Sequence, residues 1–158
     1  MPKNLDSAAR GEWWMNELGT EARPDWTAFL DVPRDETLAF ALYTHDRGIL
    51  KLTAQLYPLL PGESRSVAFE IDSGEGFQAV ATAPVIEPGW SAHFRIEGWD
   101  SSKPARYRLR HAKSELSGFV RPDPVNKQEI VVGLLSCDSN KDRSDRDEIV
   151  RLIKHHDP

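Results

Sequence analysis

LKLTAQLYPLL, residues 50–60, alternates strictly: Leu50, Leu52, Ala54 and Leu56 fall on one side of an extended chain, Lys51, Thr53 and Gln55 on the other. A period of two is the mark of a strand with one buried face. Pro58 and the Pro61–Gly62–Glu63 run end it, because proline cannot donate to a ladder and this composition favours turns. The device recurs along the chain. SRSVAFEID (64–72) aligns Val67, Phe69 and Ile71, and the turn DSGEG leads into FQAVATAPVI (77–86). SAHFRIEGW (91–99) aligns Ala92, Phe94 and Ile96, and ARYRLRHAK (105–113) sets Tyr107 and Leu109 against Arg106, Arg108 and Arg110. Apolar residues alternating with charged ones suit antiparallel sheets with one solvated face, not a parallel sheet covered by helices.

Short strands at this spacing predict a mainly β domain over residues 37–121, an antiparallel β-sandwich of immunoglobulin- or fibronectin-like architecture. Tyr107, just after the Asp100–Pro104 turn, is a candidate tyrosine corner, in which the hydroxyl turns back onto the preceding connection. A plain core tyrosine is the alternative. There is no Cys–Trp–Cys arrangement, so the immunoglobulin likeness is one of architecture. Residues 1–36 hold Trp13, Trp14 and Trp26 without periodicity and read as a segment that wraps the sandwich. Together with Trp90 and Trp99 these indoles could instead offer a stacking platform for sugars.

The chain has 158 residues, enough for one ordinary domain or a domain with an appendage. A net charge of -5 and the lack of a basic stripe argue against a nucleic-acid surface. No apolar run approaches the length of a membrane span. The opening MPKNLDSAARGEWWMNELG lacks the apolar centre of a secretory signal, so a cytoplasmic protein is expected unless the true start lies upstream. One cysteine excludes an internal disulfide framework.

The pattern changes after RPDPVNKQ (121–128), whose prolines and turn formers mark a linker at 122–128. EIVVGLLS (129–136) is apolar without alternation, as in a strand buried on both faces. A polar turn, CDSNKDRS, precedes a helical pattern in which Ile149, Leu152 and Ile153 share a face. Ser144 with Asp147 resembles a capping box, and Lys154, His155 and His156 suit the negative end of the helix dipole. Residues 129–158 therefore read as a strand–loop–helix that begins an incomplete α/β domain, because a strand apolar on both faces needs neighbours that this chain does not reach.

Ligands of α/β sheets collect at the carboxyl ends of strands, where Cys137 stands with Asp138 and Asn140. Thiolate beside hard oxygen donors could ligate a metal or hold a phosphate, although a lone Cys is most often a small buried hydrophobe. A cysteine nucleophile would need a partnered base, and neither His155 nor His156 has a claim to that role.

RPDWTAF, GWSAHFRIEGWD, YRLRH and above all IVVGLLSCDSN…DEIVRLIKHHDP resemble the opening of PhoD-like alkaline phosphatases, metallophosphoesterases with an immunoglobulin-like sandwich ahead of a catalytic α/β domain. The resemblance implies that Cys137 is a metal ligand, with Asp138 and Asn140 as weaker candidates. It implies iron, and calcium in some members, for the complete enzyme, acting on phosphate ester substrates. The Gly-Asp strand motif, the Asn-bearing motif and the later histidines of that family are not in this chain. The chain alone is thus expected to be inactive, to bind no metal stably, and to serve as an accessory, scaffold or partner-binding domain for a missing catalytic domain. A free-standing sandwich that binds carbohydrate or protein is the alternative. Self-association through the unpaired C-terminal strand is a further expectation.

Overall fold

The computed structural model of the chain describes residues 32–87, 89–134 and 146–156. The chain divides into two units, Met1–Asp123 and Pro124–Pro158. The first contains β1 (Leu38–Asp46), β2 (Ile49–Leu56), β3 (Ser66–Asp72), β4 (Phe77–Ile86), β5 (Ser91–Glu97), β6 (Ala105–His111) and β7 (Ser114–Val120). All neighbouring pairs are antiparallel, in the order β1-β2-β5-β4-β3-β6-β7.

The architecture is a seven-stranded, largely antiparallel sheet rolled into a near-barrel, where two separate layers were expected. The strand that joins the layers is β4. From Phe77 to Pro84 it pairs with β3, and at Val85 and Ile86 it pairs with β5. Pro84 stands at the change of partner; a residue without an N–H is tolerated where one ladder gives way to another. A register shift between Phe69 and Glu70 adds local twist to the same ladder.

The alternation read from sequence fills the interior. Leu50, Leu52, Ala54 and Leu56 from β2, Val67 and Phe69 from β3, Ala92 and Phe94 from β5, and Tyr107 and Leu109 from β6 are all buried. Ile71 and Ile96 are partly buried against that cluster. Phe69 is its centre, with ring centroids 5.5 Å from Phe94 and 6.0 Å from Tyr107. Tight connections hold the register. Arg47 and Gly48 both take positive φ, 47° and 76°, between the last β1–β2 pair, Asp46 and Ile49, as a two-residue hairpin turn requires. In the DSGEG turn Asp72 accepts a hydrogen bond from Gly74 N at 2.9 Å, and Ser73 N donates to Gly76 O at 3.0 Å.

Arg34 pins the chain entering β1 to the β2–β3 connection. Its Nε donates to Glu63 Oε1 at 2.7 Å, and Glu63 Oε2 accepts from Leu60 N at 2.7 Å. The Arg34 bond, ahead of the Leu60 N–H and the charges of Arg34 and His111, holds the Glu63 carboxyl below its usual range against the opposing effect of burial. A carboxylate lowered on folding stabilises the fold above its unfolded value of about 4.3, and that contribution is lost as pH falls through the lower folded value. Glu63→Gln is expected to flatten the acid limb of a denaturation series below about pH 5. It should cost about 1 kcal/mol at neutral pH. An unchanged acid limb would count against this assignment.

In the second unit, α1 (Arg146–His156) carries Asp147 and Glu148 in its first turn and Lys154, His155 and His156 in its last, matching the helix dipole. Glu148 accepts from Arg151 Nε at 2.9 Å. Residues 129–134, expected as a strand buried on both faces, form no ladder and are exposed. Val132 is 80% and Leu134 91% accessible. An apolar segment becomes a strand only where neighbours take its backbone groups, and no described residue does so.

Candidate functional site

Cys137, Asp138 and Asn140, together with Trp13, Trp14, Trp26 and Ser144, lie outside the described residues. Among the described residues no group of three or more His, Cys, Asp or Glu side chains is placed to hold a metal ion, and no helix is long and apolar enough to cross a membrane. Trp90 is buried, and Trp99 packs partly buried against the core, so these two indoles form no exposed sugar platform. Trp90 takes φ 51°, a conformation costly for a bulky residue. Bonds from Leu56 N at 2.8 Å and Gln55 Nε2 at 3.1 Å to its carbonyl hold it there, with the Arg65 guanidinium 5.6 Å from its ring.

Tyr107 lies in β6 directly opposite Gly118 of β7. A Cβ at Gly118 would stand 2.5 Å from the Tyr107 hydroxyl and 2.6 Å from Cζ, so the phenol occupies the space a side chain would need. Burial raises the Tyr107 hydroxyl above its usual range, and Tyr43 adds to the effect.

Tyr43 belongs to the structure's main polar array, the seam between the two ends of the sheet. Because every neighbouring pair is antiparallel, β1 and β7 at the ends of an odd-numbered order run in the same direction. No ladder joins them among the described residues. Side chains cross instead. Leu38 N donates to Ser114 Oγ at 3.0 Å, Arg121 N donates to Tyr43 Oη at 2.9 Å, and His45 Nε2 donates to the Arg121 carbonyl at 3.0 Å. At the β1 entrance Thr37 Oγ1 lies 2.7 Å from His111 Nδ1, while His111 Nε2 lies 2.7 Å from the Ser64 carbonyl. A carbonyl only accepts, so Nε2 carries a proton and donates to Ser64, while the Thr37 hydroxyl, both donor and acceptor, pairs with Nδ1. Thr37, His111 and Ser114 are all essentially inaccessible. The signal for this array was strand parity: His111 continues the inward series of Tyr107 and Leu109.

The solvent side of the seam is apolar. Phe40 and Leu42 of β1 are 50% and 68% exposed, and Phe119 of β7 is 63% exposed. Polar rows run away from this column. Phe40 pairs with Gln55 and then Ser91, and Leu42 with Thr53 and then His93. His93 bridges them, 3.0 Å from Thr53 Oγ1 and 3.1 Å from Ser91 Oγ. On the other flank Arg108 Nε donates to the buried Glu70 carboxylate at 2.7 Å, Arg110 reaches it at 3.3 Å, and the Arg108 guanidinium lies 4.5 Å from the Phe77 ring centre. An apolar centre with a rim of satisfied polar groups has the composition of a protein-contact surface.

No family model matches the chain, and no curated protein matches it. A solved structure titled "Structure of PhoD" is similar to it at a TM-score of 0.43 and 16% identity. The match covers 52% of this chain and 18% of that one, so the chain spans less than a fifth of that structure's length and the likeness is weak and partial.

Proposed function

We propose that this chain is a non-catalytic accessory module, a scaffold or partner-binding β domain that works with the catalytic domain of a PhoD-like metal-dependent phosphatase. The observation that carries the binding role is the exposed column of Phe40, Leu42 and Phe119 beside the seam, on a β domain whose other described large apolar side chains are buried or partly buried, apart from Val80 and Ile86 of β4 at 46% and 51% exposed. The resemblance of GWSAHFRIEGWD and IVVGLLSCDSN to that family's opening supplies the partner. In this reading the roll is an immunoglobulin- or fibronectin-like domain, with β1-β2-β5 as one layer and β4-β3-β6-β7 as the other, and Tyr107 is its corner tyrosine. Cys137, with Asp138 and Asn140 beside it, belongs to the iron or calcium site of the complete enzyme.

The test is titration of the chain into the isolated catalytic domain of a PhoD-like phosphatase, followed by calorimetry. Binding is expected, and Phe40→Asp with Leu42→Asp should weaken it by roughly tenfold or more, as loss of a central apolar contact does. The chain with added iron and calcium should turn over no aryl phosphate. Absence of binding, or turnover abolished by Cys137→Ser, would defeat the proposal.

A further inference from the structure

Among the described residues the rolled sheet does not close, which leaves two strand edges, each a row of backbone donors and acceptors able to pair with another chain. The two edges here differ in hazard. β7, SELSGFV, carries Glu115 and Gly118. β1 reads LAFALYTHD, and from Leu38 to Thr44 it holds no charge, proline or glycine. A stretch of that length, rich in aromatic and aliphatic residues and uncharged, is the composition that favours pairing between copies. It also presents Phe40 and Leu42 to solvent.

The side-chain bonds of the seam lie where this edge would be approached. Ser114 takes the Leu38 N–H at one end, and at the other Tyr43 and His45 of β1 bind the Arg121 N–H and carbonyl. The register shift between Leu38 and Phe40 breaks the regular run of β1 near its start. A bulge and side chains that occupy edge groups are two of the devices by which sheet proteins blunt an edge.

We propose that the Ser114–Leu38 and Tyr43–Arg121 bonds form an edge latch, and that opening it exposes β1 for antiparallel pairing with β1 of a second copy. Such a pair is its own two-fold partner, since the same strand serves on both sides of the axis. The columns of Phe40 and Leu42 then meet across the axis. The inference concerns the edge of β1 and does not depend on the accessory role proposed above.

The test uses the full chain with Ser114→Ala and Tyr43→Phe together, each change removing one hydroxyl. Sedimentation across about a hundredfold range of concentration should show the unaltered chain as a single species and the double variant as a concentration-dependent dimer. Hydrogen exchange at Leu38 and Arg121 should accelerate in the variant, showing that the latch is open. Adding Leu42→Lys, which places a charge beside the edge, should return the variant to a monomer. Tyr43→Phe alone supplies the same comparison in the mildest form should the double variant unfold. The proposal is overturned if exchange accelerates while the variant stays monomeric, if Leu42→Lys leaves the dimer intact, or if the unaltered chain dimerises to the same extent.

Discussion

Replacement of Gly118 by alanine is expected to destabilise the domain by about 2–4 kcal/mol, read as a shift of the urea midpoint with little change in slope. Backbone conformation is not the cause, because Gly118 is absent from the residues of positive φ. Contact is the cause. The new Cβ would sit 2.5, 2.6 and 2.8 Å from Oη, Cζ and Cε1 of Tyr107. The phenol cannot swing aside freely, since its ring packs against Phe69 at the middle of the core. A double-mutant cycle isolates the effect: with Tyr107→Leu already present, Gly118→Ala should cost at least about 1 kcal/mol less. Equal costs in both backgrounds would show that the ring is not what excludes a side chain at Gly118.

His111→Ala should be comparably damaging, at about 3 kcal/mol. It leaves a cavity, and it strips partners from the Thr37 hydroxyl and the Ser64 carbonyl. His111→Phe separates the two terms. It restores volume but no hydrogen bond, so it should recover only part of the loss in the same denaturation experiment. Full recovery with phenylalanine would mean that the ring acts as filler and that its two bonds contribute nothing net.

Much of the roll was legible in the sequence because its central strands obey the rule of alternation. β2, β5 and β6 each bury one parity, and β3 does so up to its register shift between Phe69 and Glu70, so Leu50, Phe69, Phe94 and Leu109 identify themselves. β1 hides itself. The shift between Leu38 and Phe40 resets its parity, after which Ala41, Tyr43 and His45 face the roll or its seam while Phe40 and Leu42 face water. Reading apolar as inward fails there. The joining of two layers into one sheet depended on β4 changing partner at Pro84, a tertiary event with no local signature beyond the proline itself. The same limit governed the seam, whose bonds link residues as far apart as Tyr43 and Arg121. EIVVGLLS was read by composition alone. Composition states what a segment would bury if neighbours were there, and its described residues have none.

The parallel run of β1 and β7 also gives the domain a direction in which it resists tension. β1 begins at Leu38 at one end of the seam, and β7 finishes at Val120 near the other. A pull applied through the polypeptide on either side of the roll would slide these two strands past each other along their length. The Ser114, Tyr43 and His45 bonds would then bear load together, not open one by one as a zipper does. Rupture under force follows the unfolding rate, so side chains that add little to equilibrium stability would set how long the domain holds when stretched.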